Sequence, residues 1–254
     1  MTERPRPSDS ADCSEHIINA LQQARETSTS VYIQGGGSKP HLIGRNCNST
    51  VLDVGGHRGI VDYQPQELVI TARAGTPLVD IIAVLDAEGQ SLSFEPPVFN
   101  GAATLGGTLA CNLSGPARPW RGSIRDMVLG VQLINGKCEQ LNFGGKVIKN
   151  VAGYDVARLQ AGALGTLGVL CEVSLKVLPR ADKTLTLCYD MSAQEAVQHM
   201  NQKAGQPKPL SGAFWLNGQL HMRLSGAASA VNSTVTQWGG EILANDDVLW
   251  QQLR

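Results

Sequence analysis

Apolar residues recur at helical spacing at Ile17, Ile18 and Leu21. Asp12 stands three residues before Glu15 in the manner of a capping box, so residues 12–26 are predicted to form an amphipathic helix. Three short runs rich in β-branched residues follow and read as strands: Val31-Tyr32-Ile33, Thr50-Val51-Leu52-Asp53-Val54 and Leu68-Val69-Ile70-Thr71-Ala72. Thr76 is expected to cap a second helix with Pro77 at its first position. Leu78, Ile81, Ile82 and Leu85 line its buried face, and Gly89 ends it. From Glu95 to Gly145 periodicity gives way to small residues and loops, until Met127 to Ile134 and Cys138 to Phe143 resume as strands about an Asn135-Gly136 turn. Residues 155–161 read as a short helix. The alternation of Leu167, Val169, Cys171, Val173, Leu175 and Val177 reads as a half-buried strand stopped by Pro179.

Beyond Pro179-Arg180 the pattern changes. Strand 184–190, helix 193–203, strand 211–217, a tight Asn217-Gly218 turn, strand 219–224, helix 227–238 and a short strand at 241–243 give a βαββαβ order, the ferredoxin-like pattern. Glycine supports the same boundary: of 28 in 254 residues, 22 precede residue 180. The expected organisation is a flexible terminus at 1–12, one domain at 13–180 and a second at 181–254, where the chain stops inside a further helical segment.

Composition removes whole classes of function. With 17% charged residues, a net charge of −1 and no Lys/Arg block, the chain lacks the electrostatic footprint of nucleic-acid or anionic-membrane binding. The polar, proline-broken start is unlike a secretory signal, and no stretch approaches the about 18 apolar residues of a membrane span, so a cytoplasmic chain is expected. Six cysteines (Cys13, Cys47, Cys111, Cys138, Cys171, Cys188) lie singly without a C-x-x-C pair. Five histidines are equally dispersed, so neither a metal site nor an iron–sulfur cluster held by this chain alone is expected.

Candidate chemistry lies in three small-residue loops. Gly35-Gly36-Gly37-Ser38 follows a strand; such a loop can turn successive N–H groups toward a phosphate, or serve equally as a tight turn. Gly101 to Ala110 and Asn112 to Pro116 form a second run, where tiny side chains let a ligand approach backbone donors at a helix start. Gly162 to Val169 forms a third. Together they favour an extended ligand cradle over unrelated turns. The dinucleotide fingerprint G-x-G-x-x-G, the Walker motif and the G-x-S-x-G elbow are all absent. Lys149, Arg118, Arg121 and Arg125 are the cations nearest these loops; each arginine reads as a partner for developing negative charge or as an exposed salt bridge, and Lys149, followed by Tyr154 and Asp155, as such a partner or as a residue that fixes the loop. No residue identifies itself as a catalytic base.

The order of these loops carries a resemblance. Gly-Gly-Gly-Ser after a strand, Thr104-Leu105-Gly106-Gly107, Trp120 to Asp126 before Val128-Leu129-Gly130, Lys149 to Asp155, and Gly165 to Val169 resemble the vanillyl-alcohol oxidase / p-cresol methylhydroxylase (PCMH) FAD-binding family. Ser38-Lys39, Gly56 to Val61, Glu95-Pro96-Pro97, Gly115 to Trp120 and Lys176 to Arg180 place it nearest the glycolate oxidase branch. The resemblance implies an α+β, two-subdomain PCMH-type FAD-binding fold followed by a partial ferredoxin-like (βαββαβ) cap. It places the FAD pyrophosphate on the amides of Gly35, Gly36, Gly37 and Ser38, with contacts from Thr104, Leu105, Gly106 and Gly107. Ser114, Gly115, Gly165, Gly168 and Val169 would then shape the isoalloxazine side. Attachment is expected to be non-covalent, since members using this loop for a covalent bond carry histidine where this chain has Gly37.

The same resemblance implies oxidation of a 2-hydroxy acid, glycolate or D-lactate, with a catalytic flavoprotein subunit and an iron–sulfur subunit as partners, and attachment to the inner membrane through that complex. Two alternatives stand beside it: a flavin relay or assembly subunit without catalysis of its own, and an NADPH-dependent flavin reductase of the same fold. Members of the family usually continue further, so an unfinished cap with an incomplete sheet and an exposed edge is expected.

Overall fold

The computed structural model describes residues 10–42, 49–145, 153–244 and 246–253. The elements run in order α1 (Ser14–Glu26), β1 (Val31–Gln34), β2 (Thr50–Asp53), β3 (Ile60–Gln64), β4 (Val69–Arg73), α2 (Leu78–Ala87), β5 (Gln90–Ser91) and α3 (Leu105–Cys111). Then come α4 (Arg118–Arg121), α5 (Ile124–Met127), β6 (Val128–Ile134), β7 (Gln140–Gly144), α6 (Val156–Leu159), β8 (Val169–Lys176) and β9 (Leu178–Pro179). The last elements are β10 (Lys183–Asp190), α7 (Ala193–Ala204), β11 (Leu210–Leu216), β12 (Gln219–Gly226), α8 (Ala228–Trp238), β13 (Glu241–Leu243) and α9 (Asp247–Gln252). The chain divides into two compact units. The first is Met1–Leu92, Pro96–Leu113 and Ser123–Pro179; the second is Ser93–Glu95, Ser114–Gly122 and Arg180–Arg254.

In the first unit β1 pairs with β2 in parallel, Val31 opposite Thr50, and a separate antiparallel sheet has the order β3-β4-β8-β6-β7. Ile17 of α1 is buried with Leu52, Val54, Ile134, Val169 and Cys171. Leu78, Ile81 and Leu85 of α2 are fully buried, each contributing on the order of 1.5–3 kcal/mol.

Several local readings are refined. The first helix starts at Ser14, because the Asp12 carboxylate accepts from the Ser14 amide at 3.0 Å and also pairs with Arg73 at 3.3 Å. Thr76 does not cap α2: its hydroxyl is bound to Gly59, accepting from the amide at 2.9 Å and donating to the carbonyl, and the helix opens after Pro77. Leu68 lies outside β4 in a left-handed turn with φ +57°. Between β6 and β7 the Asn135 side chain accepts from the amides of Lys137 and Glu139, and Cys138 takes the left-handed conformation. β8 is buried on both faces rather than alternating because it is the central strand, and its Ser174 hydroxyl meets Thr71 at 2.8 Å.

The second unit is a four-stranded antiparallel sheet of order β11-β12-β10-β13. That is the ferredoxin-like order, with all four strands present and the last only three residues long. Ser192 and Glu195 form a capping box at the start of α7. Leu187, Leu220, Met222 and Leu224 pack with Ala196 of α7 and Val231 and Trp238 of α8. Asn217 and Gly218 both have positive φ, the conformation the tight turn requires. The opposite face of the sheet carries polar groups: Cys188 Sγ lies 3.1 Å from His221 Nδ1, and Trp250 of α9 donates to Thr186 Oγ1 at 2.8 Å.

Candidate functional site

The end of β1 and the start of α3 meet at the loop 35–38. A side chain at Gly36 would place its Cβ 1.7 Å from the Ala102 carbonyl oxygen, and one at Gly35 would lie 2.6 Å from Thr104 Oγ1. Gly37 has φ +61°. Only glycine therefore allows this loop to lie against residues 102–104. Gly106 sits equally close to Ala74, where a Cβ would come to 2.6 Å of the alanine methyl. On the third loop Gly165 (φ +76°) and Gly168 (φ +148°) adopt conformations that L side chains rarely take.

These segments enclose a cleft of about 100 Å³. It is lined by Gly35, Gly36, Gly37, Ser38, Thr104, Gly106, Gly107, Gly165 and Gly168, all among the residues expected from the sequence. Four more lining residues outside the expected set bear polar or ionisable groups, Tyr32, Gln34, Lys39 and Cys111. The other expected residues lie elsewhere. Leu105 is buried in the core and its amide donates to Thr76 O, while the Gly106 amide donates to Ala74 O. Val169 is packed in the core of the first unit. Ser114 and Gly115 belong to the second unit, where the Gly115 amide donates to Phe94 O.

Of the expected cations, Lys149 lies outside the described residues. Arg118 and Arg125 are exposed, and Arg121 donates to Ser225 O at 2.7 Å within the second unit. Tyr154 is 96% exposed, and Asp155 accepts from the Arg158 amide as the cap of α6.

The donor set of the cleft suits an anion. No backbone carbonyl among the described residues accepts from the amides of Gly36, Gly37 or Ser38. The Ser38 hydroxyl and the Lys39 ammonium add polar groups, and no carboxylate is among the described lining residues. Burial lowers the Lys39 pKa from its ordinary value, and burial raises that of Cys111, with Lys39 opposing the rise. A glycine cradle with free amides and a cation fits the pyrophosphate of a dinucleotide.

The FAD binding domain family model matches residues 10–144. The chain is 48% identical to the glycolate oxidase subunit GlcE of Escherichia coli (strain K12), over 96% of this chain and 69% of that protein. It is 31% identical to the glycolate oxidase subunit GlcD of Bacillus subtilis (strain 168), over 70% of this chain and 36% of that protein. Among solved structures, alkyldihydroxyacetonephosphate synthase superposes with a TM-score of 0.72 at 17% identity, over 94% of this chain and 52% of that one, a likeness of fold alone. Cradle, motif order and relatives agree: the chain belongs to the FAD-binding-domain family of the PCMH type.

Proposed function

We propose that this chain is the FAD-binding subunit of a glycolate oxidase-like complex. The complex oxidises a 2-hydroxy acid, glycolate or D-lactate, to the 2-oxo acid and passes the electrons to an iron–sulfur subunit, beside a catalytic flavoprotein subunit. The observation that carries the reading is the 48% identity to GlcE across 96% of the chain. Bound FAD would supply the two-electron acceptor for the C–H bond of the alcohol. The chain's own residues bind and orient it. The amides of Gly36, Gly37 and Ser38 would hold the pyrophosphate, and Ile33, Leu164 and Leu170 give the cleft apolar walls. Attachment is non-covalent, since Gly37 offers no side chain to bond.

A second reading is a flavin relay or assembly role. Alcohol oxidation needs a group that takes the hydroxyl proton. The described residues lining the cleft include no carboxylate and no imidazole, which favours a base outside it or on another subunit. Stopped-flow mixing of the purified complex with glycolate, D-lactate or NADPH separates the readings. Bleaching of this chain's flavin by a 2-hydroxy acid within turnover time supports catalysis here. Undiminished substrate oxidation by the partner subunits without this chain favours the relay role, and bleaching by NADPH alone overturns both.

A further inference from the structure

We infer that Lys39 is the counter-ion of the FAD pyrophosphate, an inference that rests on the FAD reading above. Lys39 follows the glycine loop directly, yet its side chain is turned inward and the residue is only 8% exposed. Its Nζ donates to Ser38 Oγ at 3.0 Å and lies 5.4 Å from the centre of the Phe99 ring. A Cβ at Gly107 would come within 3.4 Å of the same nitrogen, so the first and second small-residue loops converge on this ammonium. Among the described residues no carboxylate pairs with it.

A buried ammonium without an anion is costly, because burial favours the neutral amine. The shift of Lys39 is in that direction, with burial as its first cause. The other titratable group acting on it, Cys111, is held as a neutral thiol by its own burial and supplies no charge at neutral pH. Three features of the cleft, as the described residues form it, therefore point to a ligand that brings its own negative charge: loop amides that no described carbonyl accepts from, a hydroxyl beside the ammonium, and no carboxylate among the described lining residues. A diphosphate supplies that charge. The isoalloxazine does not, so Lys39 distinguishes FAD from a flavin without phosphates.

The test is titration of flavin-free protein with FAD and with riboflavin, followed by flavin fluorescence, for the wild type and for Lys39→Met, Lys39→Gln and Lys39→Arg. Loss of a charge-assisted contact is expected to weaken FAD binding by about 10- to 100-fold in the Met and Gln variants. Riboflavin binding is expected to stay within about twofold, and Lys39→Arg to recover most of the FAD affinity. In the unaltered protein, acetylation of Lys39 read by peptide mass spectrometry is expected to be suppressed by FAD and by inorganic pyrophosphate but not by riboflavin. Equal FAD affinity in wild type and both neutral variants, an equal loss for FAD and riboflavin, or equal protection by riboflavin overturns the inference alone. A wild-type chain that binds neither flavin overturns the FAD reading and this inference with it.

Discussion

Gly36 is the residue with the least room to change. An added methyl carbon would sit 1.7 Å from the Ala102 carbonyl oxygen, so the loop must lift off its support. Gly36→Ala is expected to cost about 3 kcal/mol of stability and to abolish flavin retention, read by urea denaturation and by absorbance of the purified protein. Gly136 has nothing within 4 Å of its would-be Cβ, and Gly136→Ala should stay within about 0.5 kcal/mol of wild type with full flavin content. A second residue-level prediction concerns acid. His57 is 1% exposed, its Nδ1 accepts from the Cys13 amide at 3.0 Å, and burial is the first cause that pushes its pKa below 6.5. His199 and His221 shift the same way, also through burial. Well above pH 6.5 these imidazoles are neutral in both folded and unfolded chains. Below it the unfolded chain takes up protons that the folded one refuses, so stability should fall as the pH drops from 7 toward 5.5. His57→Gln should flatten that slope in denaturation measured across the range. Asp12 acts in a separate window: its pKa is lowered to about 2, first by the Ser14 amide, so its contribution is lost only below about pH 4.

At the scale of elements, amphipathic periodicity made α1 and α2 legible, and β-branched runs made β1, β2 and β4 legible, because those patterns are set by burial on one face or within a sheet. The helix α3 is legible in the sequence only as a helix start without bounds. Gly106 and Gly107 lower its intrinsic propensity, and the close approach of Gly106 to Ala74 that requires them is a tertiary contact. The cradle's glycines could be chosen from sequence because positive φ and close approach demand that residue. Lys39, by contrast, looks like any surface lysine until its burial is known. Glu95 is a similar case within the second unit. Its place before two prolines is visible, but its partner Arg223 lies 128 residues away. There Arg223 Nη2 meets Glu95 Oε2 at 2.8 Å, its Nε bonds Ser211 Oγ at 3.1 Å, and its guanidinium lies 4.4 Å from the Trp250 ring centre. Arg223 is 5% exposed, so removing the carboxylate leaves a buried charge short of its counter-ion. Glu95→Gln is expected to destabilise the protein by about 3 kcal/mol, seen as a lower thermal midpoint and faster hydrogen exchange in β11 and β12. A double replacement of Glu95 by Gln and Arg223 by Met should recover part of that loss.

For the whole molecule, seven of the 22 glycines before residue 180 line one cleft, and the ferredoxin-like order follows in a second unit. The family follows from that arrangement and from the relatives together. The chemistry of the complex is proposed from the relatives, since the described lining residues include no carboxylate and no imidazole. The proposed function depends on the first unit holding FAD, and the proposed attachment on the absence of a covalent bond. The direct measurement is the visible spectrum and flavin content of the purified chain, followed by acid precipitation. About one FAD per chain is expected, released entirely into the supernatant. A chain that shows no flavin absorbance and takes up no added FAD would contradict it, and flavin that stays with the precipitate would contradict the non-covalent attachment.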